Sequence, residues 1–179
     1  MTHTCQIIYV SYYNPNIFFA LLIYSNMTKV KWLWSISIAM GIVLLYASLS
    51  ADFVKVNGWY EELILPSIAL SPKGMAVGWS LAYIVNIAII ARLIFHKKHT
   101  IIILPLVILG VLNIVWCMVF FSFHSPIACF VILIIECALI FAVFVMTIRR
   151  DTISMIIIEP LFAWYLYLTA VNYYIFINN

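Results

Sequence analysis

The sequence contains several uninterrupted apolar blocks of about 20 residues, and these constrain its fold more than any other feature. An α-helix rises about 1.5 Å per residue, so a block of this length crosses the roughly 30 Å hydrocarbon core of a bilayer. Proline, glycine or charged residues interrupt the chain between the blocks. The blocks lie at about 32–49, 75–95, 101–121, 126–148 and 154–177. The sequence therefore predicts five transmembrane helices.

Composition excludes a water-soluble globule, because 67% of the residues are hydrophobic and only 8% are charged. The strands of a transmembrane β-barrel would alternate apolar and polar residues, whereas these blocks are continuous. Backbone polar groups at membrane depth must be paired within their own segment, which a helix achieves. We therefore expect an all-α integral membrane protein: a five-transmembrane-helix bundle over residues 27–179, with a lid-like loop at 50–74.

Residues 1–26 form an apolar extension whose sequence is compatible with more than one structure. Pro15 lies between Asn14 and Asn16 near the middle of this stretch, and no basic segment of the kind that begins a signal peptide precedes it. The stretch is compatible with a sixth, poorly formed helix, with an interfacial segment, or with sequence upstream of a true start at Met27.

Basic residues fall on alternate connections, which predicts an orientation. Seven of the nine lie on one set of connections: Lys29 and Lys31 before the first span, Arg92, Lys97 and Lys98 after the second, and Arg149 and Arg150 after the fourth. The other two, Lys55 and Lys73, lie in the long loop on the opposite side. The start of span one is therefore expected on the cytoplasmic side and the C-terminus on the opposite side; the host membrane is left open. The net charge of +3 is spread over these connections, so no nucleic-acid partner is expected. Neither the four cysteines nor the histidines have metal-ligand spacing, so no metal site is expected.

Three predicted spans carry aromatic and amide side chains at helical spacing, so that each set shares one face. The sets are Trp79, Tyr83 and Asn86; Gly110, Asn113, Trp116, Cys117 and Phe120; and Trp164, Tyr167, Leu168 and Asn172. Because amides facing lipid would lack partners, these faces should point into the bundle. The alternative is that each asparagine forms only an interhelical hydrogen bond, which commonly stabilises a helical membrane protein by about 0.6 to 2 kcal/mol. Trp116 and Trp164 lie too deep for interfacial belts, which favours a cavity for a flat, apolar, conjugated ligand.

Glu136 and the long loop add two further expectations. Glu136 lies about ten residues into the fourth span, where an ionised side chain costs about 2.5 to 3.5 kcal/mol, so a neutral carboxyl bonded to an amide or hydroxyl is expected. The loop contains Trp59, Tyr60, Pro66 and Pro72, a composition that favours a lid over the extracytoplasmic mouth. Anchoring of Trp59 and Tyr60 in the headgroup region is the alternative.

Several segments in order resemble the TspO/MBR family, which includes the tryptophan-rich sensory proteins and the mitochondrial translocator protein (peripheral-type benzodiazepine receptor). They are "WYEEL", then Pro66, "WSLAY", "LNIVWCMVFF" and "EPLFAWYLYLTAVNYYIFINN", within a match from about Trp32 to Asn179. The resemblance implies a five-helix bundle, often a homodimer, that binds porphyrins such as protoporphyrin IX or haem as ligands and requires no cofactor. The chain departs from the family pattern at Leu70, Ser71 and Leu161.

The resemblance also implies which residues face the ligand. The resemblance and the three shared faces together predict the ligand-binding residues. They are Tyr60, Trp79, Tyr83, Asn113, Trp116, Phe120, Cys137 and Trp164. Supporting residues are Trp59, Pro66, Asn86, Glu136, Pro160 and Asn172. No catalytic residue is predicted.

Three functions remain open at this point. The first is porphyrin binding for transport or sensing, and the second is light-dependent or oxidative porphyrin degradation with Trp79 and Trp164 as electron donors. The third is a membrane scaffold with a packed, ligand-free interior. A conventional hydrolase is improbable, because the sequence has none of the usual nucleophile or metal motifs.

Overall fold

The structure is a computed structural model that describes residues 15–54, 58–96, 100–148 and 151–179, with side chains from residue 24 onward except residue 100. Its helices are α1 (Pro15–Ala51), α2 (Gly58–Glu62), α3 (Pro72–His96), α4 (Thr100–Phe121), α5 (Pro126–Ile148) and α6 (Thr152–Asn178). All of these except the short α2 are long and apolar enough to cross a membrane. The prediction of an all-α, five-helix integral membrane protein is therefore confirmed.

The first long helix begins earlier than the sequence suggested. It starts at Pro15 rather than near Trp32, so part of the N-terminal extension continues span one. Proline is tolerated there because the first turn of a helix has no intrahelical partner for its backbone N–H groups. The start of the extension, residues 1–14, lies outside the described residues, and its status stays a prediction.

The five long helices form a closed ring. Going round it, α1 packs on α3, α3 on α6, α6 on α5, α5 on α4 and α4 again on α1. A further contact, between α3 and α4, crosses the middle. The helix ends next to the loop that joins α1 to α3 surround a central space below this loop.

Two glycines let large rings lie directly against a neighbouring helix. A Cβ at Gly78 on α3 would collide with the ring of Trp164 on α6, and one at Gly110 on α4 would collide with the ring of Tyr46 on α1. These close approaches set the spacing of helix pairs on either side of the central space.

An ion pair joins α3 and α6 at the opposite end of the bundle. The Arg92 guanidinium donates from Nε and Nη2 to the two oxygens of Asp151, each at 2.9 Å. Asp151 also caps α6, because its side chain accepts from the backbone N–H groups of Ile153 and Ser154. The Arg92 hydrogen bond holds the pKa of the Asp151 carboxyl well below its usual range.

Of the other charges used to predict orientation, Lys29 and Lys31 are exposed on α1. Lys97, Lys98, Arg149 and Arg150 lie outside the described residues. The chain is an integral, multi-pass membrane protein, and the sidedness of its termini stays a prediction.

Candidate functional site

A cavity of about 310 Å³ lies between α1, α3, α4 and α6, beneath the loop that precedes α3. Helix α5 contributes none of the residues that line it. The lining residues are mostly aromatic or small and apolar: Ala47, Ser50, Ala51, Val54, Tyr60, Leu65, Ala69, Leu70, Pro72, Met75, Ala76, Trp79, Tyr83, Trp116, Cys117, Phe120, Phe121, Tyr167, Val171, Asn172 and Ile175. The cavity therefore suits an apolar guest with few polar groups.

Aromatic rings from separate helices converge on this cavity. The Trp79 ring of α3 lies 5.8 Å from Tyr83 in a stacked arrangement and 6.3 Å from Trp116 of α4. Trp116 in turn stacks on Phe120 at 5.1 Å. The walls can consequently contact both the faces and the edges of a flat ring system.

Polar groups lie at the cavity wall and directly behind it. The Ser50 hydroxyl donates to Asn113 Oδ1 at 2.9 Å, and the Tyr83 hydroxyl reaches the same oxygen at 3.4 Å. Within the described residues, Asn113 Nδ2, Trp116 Nε1 and Asn172 Oδ1 are buried without a hydrogen-bond partner. A buried polar atom without a partner costs about 1 to 3 kcal/mol, so these atoms are suited to bind the polar edge of a guest or water.

Described residues of the loop between α1 and α3 lie against the cavity, and the role of this loop as a lid stays a prediction. Trp59 packs edge-on against Phe120 at 5.2 Å and stacks on the His124 ring at 4.4 Å. Tyr60 lies 6.3 Å from Phe120. Burial, with a smaller contribution from the nearby Tyr167, raises the pKa of the Tyr60 hydroxyl, so at neutral pH it is an uncharged phenol over the cavity.

Two side chains of α6 hold this loop in place. Tyr167 accepts a hydrogen bond from the Leu70 N–H at 3.0 Å and donates to the Ile68 carbonyl at 3.2 Å. Asn179, just after the helix, accepts from the Ile64 N–H at 2.9 Å and donates to the Ile64 carbonyl at 3.3 Å. The loop is therefore fastened near its middle and near its end.

The structure brings six of the predicted site residues to the cavity wall. They are Tyr60, Trp79, Tyr83, Trp116, Phe120 and Asn172. Asn113 is 2% exposed and lies behind Ser50 and Tyr83 rather than at the wall. Trp164 is one ring further out, packed on Trp79 at 5.7 Å. Ligand binding by these residues stays a prediction.

The remaining predicted residues lie away from the cavity. Glu136 is fully buried on α5, and neither carboxyl oxygen has a partner within the described residues, so the expected amide or hydroxyl bond is not formed there. Cys137 contacts the Thr169 hydroxyl at 3.1 Å. Asn86 donates to the carbonyl of Ala82 in its own helix. Trp59 and Pro66 belong to the loop, and Pro160 is exposed on α6.

Some lining residues were not among the predicted ones. Cys117 and Tyr167 share the predicted aromatic and amide faces, so their positions could have been inferred from spacing. Ala47 and Ser50 are small residues of α1, a helix without such a stripe, and no pattern in the sequence marks them. Within the part of the chain that is described, no group of three His, Cys, Asp or Glu side chains could hold a metal ion.

Comparison with known proteins agrees with the architecture. No match was found among curated proteins. The model of the TspO/MBR family matches residues 33–177, which is nearly the whole chain and includes all or part of every long helix. The chain therefore belongs to the TspO/MBR family.

Proposed function

We propose that this protein binds a porphyrin or a related tetrapyrrole, such as protoporphyrin IX or haem, in the cavity, for transport or sensing. The observation that carries the proposal is the convergence of Trp79 and Trp116, from separate helices, on one hollow within the bundle. Stacked and edge-on rings favour a flat conjugated guest, and the unpartnered polar atoms of Trp116 and Asn172, which both line the cavity, are placed to form hydrogen bonds with it. Membership of the TspO/MBR family supports the same class of ligand.

The dimensions of the cavity fit only part of such a ligand. Its 310 Å³ lies at the small end of the roughly 300 to 1,000 Å³ typical of ligand sites. A porphyrin with its substituents is larger than this hollow, so its outer edge would extend past the wall. The charged substituents then need not enter the bundle, where the described lining residues include no cation.

The proposal is tested by titrating the purified protein with protoporphyrin IX in the dark and following the Soret band. We expect saturable binding that Trp116→Phe weakens by about twofold to tenfold, since an aromatic contact contributes about 0.5 to 1.5 kcal/mol. Trp34→Phe is the matched control, because Trp34 is 67% exposed on α1 and does not line the cavity. Non-saturable binding, or equal effects of the two substitutions, would contradict the proposal.

Porphyrin degradation is a second candidate, favoured by one observation. The rings of Trp164, Trp79 and Trp116 form a series, with 5.7 Å between the first two and 6.3 Å between the last two. Indoles this close to each other could pass an electron to an excited ring in the cavity. Illumination of the complex separates the two functions: bleaching that depends on Trp79 or Trp164 indicates degradation, and a stable Soret band indicates binding alone. A scaffold with a packed interior would give no saturable binding at all.

A further inference from the structure

Among the described residues, Glu136 is the one acidic residue whose side chain is fully buried. It lies ten residues after the start of α5 at Pro126, which at about 1.5 Å per residue is about 15 Å along the helix. This depth is half of the roughly 30 Å hydrocarbon core of a bilayer. Neither carboxyl oxygen has a hydrogen-bond partner within the described residues. Glu136 does not line the cavity, so the binding of a guest there does not account for it.

No cation of the described residues is placed to pair with this carboxyl. Lys29, Lys31 and Lys73 are exposed, and Arg92 binds Asp151 at the end of the bundle. An ionised side chain at the centre of a membrane helix costs at least about 2.5 to 3.5 kcal/mol. The carboxyl therefore keeps its proton, and in this form it has an O–H group to donate.

The side chains that face Glu136 carry groups that can both donate and accept a proton. Helix α5 packs on α4 and α6. The titratable groups close enough to interact electrostatically with the carboxyl are Cys117 on α4, Tyr165 on α6 and Cys137 on α5 itself. Thiols and phenols are uncharged near neutral pH. Glu136 is therefore part of a buried cluster of uncharged, proton-bearing groups.

One side of this cluster belongs to the cavity wall. Cys117 lines the cavity, and so does Tyr83, which interacts electrostatically with both Cys117 and Tyr165. Through Cys117, the carboxyl of Glu136 is one side chain away from the cavity. A thiol or hydroxyl can pass a proton on by accepting one and donating its own, which leaves its charge unchanged.

We propose that Glu136 is a proton-binding site in the middle of the bundle, and that it exchanges its proton with the cavity through Cys117 and the neighbouring hydroxyl groups. The ligand of this site is a proton, so the site goes beyond the proposed function and needs no porphyrin. In each exchange the carboxyl gives one proton to the adjacent group and takes one back, so no charge remains in the bundle. A guest that fills the cavity closes this path.

Infrared spectroscopy of the purified protein at about pH 8, in a detergent without carbonyl groups, tests the protonation of Glu136. Carboxyl groups in water are ionised at about this pH, so only a protected carboxyl keeps the C=O stretching band of a protonated acid. We expect this band in the unmodified protein and in Glu159→Gln, the matched control at an exposed glutamate of α6. We expect Glu136→Gln to lose it. Absence of the band from the unmodified protein, or its retention in Glu136→Gln, would overturn the proposal.

A second measurement assigns the band without any change at Glu136. The Glu159→Gln variant is labelled with carbon-13 at the carboxyl groups of its glutamates. The other glutamates of this variant, Glu61 and Glu62, are exposed on α2. We expect the label to shift the band, and a band that does not shift would overturn the proposal.

Transfer to heavy water tests the connection with the cavity, because deuteration of the carboxyl also shifts its band. Ala47→Phe adds a ring to the cavity, and Ala88→Phe adds the same ring at an exposed position of α3 that does not line it. We expect Ala47→Phe to slow the exchange at least about fivefold, equivalent to about 1 kcal/mol of barrier, and Ala88→Phe to change it by less than about twofold. Equal exchange rates in the two variants would overturn the connection.

Neither the band nor its exchange depends on porphyrin. If both results are as expected and protoporphyrin IX does not bind, the proposed ligand is wrong and the proton site stands. If protoporphyrin IX binds and the band is absent, the proton site is wrong and the proposed function stands.

Discussion

Two glycines determine where the aromatic rings of Trp164 and Tyr46 lie. The ring of Trp164 lies against Gly78 and the ring of Tyr46 lies against Gly110, because neither glycine has a Cβ to keep the ring away. Trp164 in this position supports Trp79, whose ring forms part of the cavity wall. The shape of the cavity thus depends on residues that do not line it.

Replacing Gly78 with alanine tests this dependence. The added methyl group would collide with the Trp164 ring, and such overpacking costs about 1 to 3 kcal/mol. We expect a lower thermal unfolding temperature in detergent and weaker binding of protoporphyrin IX. Gly41→Ala is the control, since nothing lies within 4 Å of a Cβ at Gly41 and alanine favours a helix interior by about 0.5 to 1 kcal/mol. Equal stability of the two variants would show that Trp164 can move at no cost.

The sequence predicted the face on which each aromatic residue lies better than its depth. Trp116 and Trp164 share helical spacing with other aromatic or amide residues, and both point into the bundle rather than at lipid. Periodicity does not say how close two helices approach, and the Gly78 contact moves Trp164 outside the cavity wall. Ser50 was missed for a related reason: a single serine in an apolar helix has no pattern around it.

Helix ends were predictable where a clear signal marks them. Pro126 starts α5, as the sequence predicted. Pro72 was assigned to the loop but starts α3, and Asp151 caps α6 although it was not predicted as a cap. The start of α1 was misjudged because Pro15 was interpreted as a break, although a proline in a first turn begins a helix equally well. The short helix α2 could not be separated from the rest of the loop, since five residues show no periodicity.

The ion pair between α3 and α6 makes stability depend on pH. The pKa of Asp151 is lowered in the folded protein, so its stabilising contribution is complete above the unfolded-state value of about 3.9 and is lost as pH falls below it. We expect Asp151→Asn to lower the free energy of unfolding by about 1 to 2 kcal/mol at pH 7. We also expect the free energy of unfolding of this variant to fall less steeply between pH 5 and pH 3 than that of the unmodified protein.

Asparagine can still cap α6, so this substitution removes the charge and keeps the cap. Thermal unfolding in detergent across that pH range measures the effect. Asp52→Asn, at an exposed aspartate just after α1, is the control. Parallel pH profiles for Asp151→Asn and the unmodified protein would show that the ion pair does not contribute.

The lid offers a third test, at its attachment to α6. Asn179→Ala removes two hydrogen bonds to Ile64, and a loss of about 1 kcal/mol corresponds to about fivefold faster hydrogen exchange of loop amides. Asn178→Ala is the matched control, because the Asn178 side chain bonds only to the Tyr174 carbonyl of its own helix. Exchange monitored by mass spectrometry should rise in residues 58–71 for the first variant alone. The same exchange in both variants would mean that Asn179 does not fasten the loop.

The five long helices pack in a ring, and the cavity lies between four of them, beneath the described part of the loop that precedes α3. Helices α1, α3, α4 and α6 form the walls, while α5 packs outside them against α4 and α6. Composition and motifs therefore predicted the fold and the family. They did not predict which helices contribute residues to the cavity wall, because that depends on how the helices pack. A homodimer, which the family resemblance implies, stays a prediction for this chain.

The affinity for protoporphyrin IX after the hollow is filled tests the ligand site most directly. Ala47 lines the cavity on α1, and phenylalanine at this position would add a ring to the space that the ligand is proposed to fill. We predict that Ala47→Phe weakens binding at least about tenfold, or about 1.4 kcal/mol, while Ala88→Phe on the outside of α3 leaves it unchanged. If Ala47→Phe folds and binds protoporphyrin IX as tightly as Ala88→Phe does, the ligand lies somewhere other than among these rings.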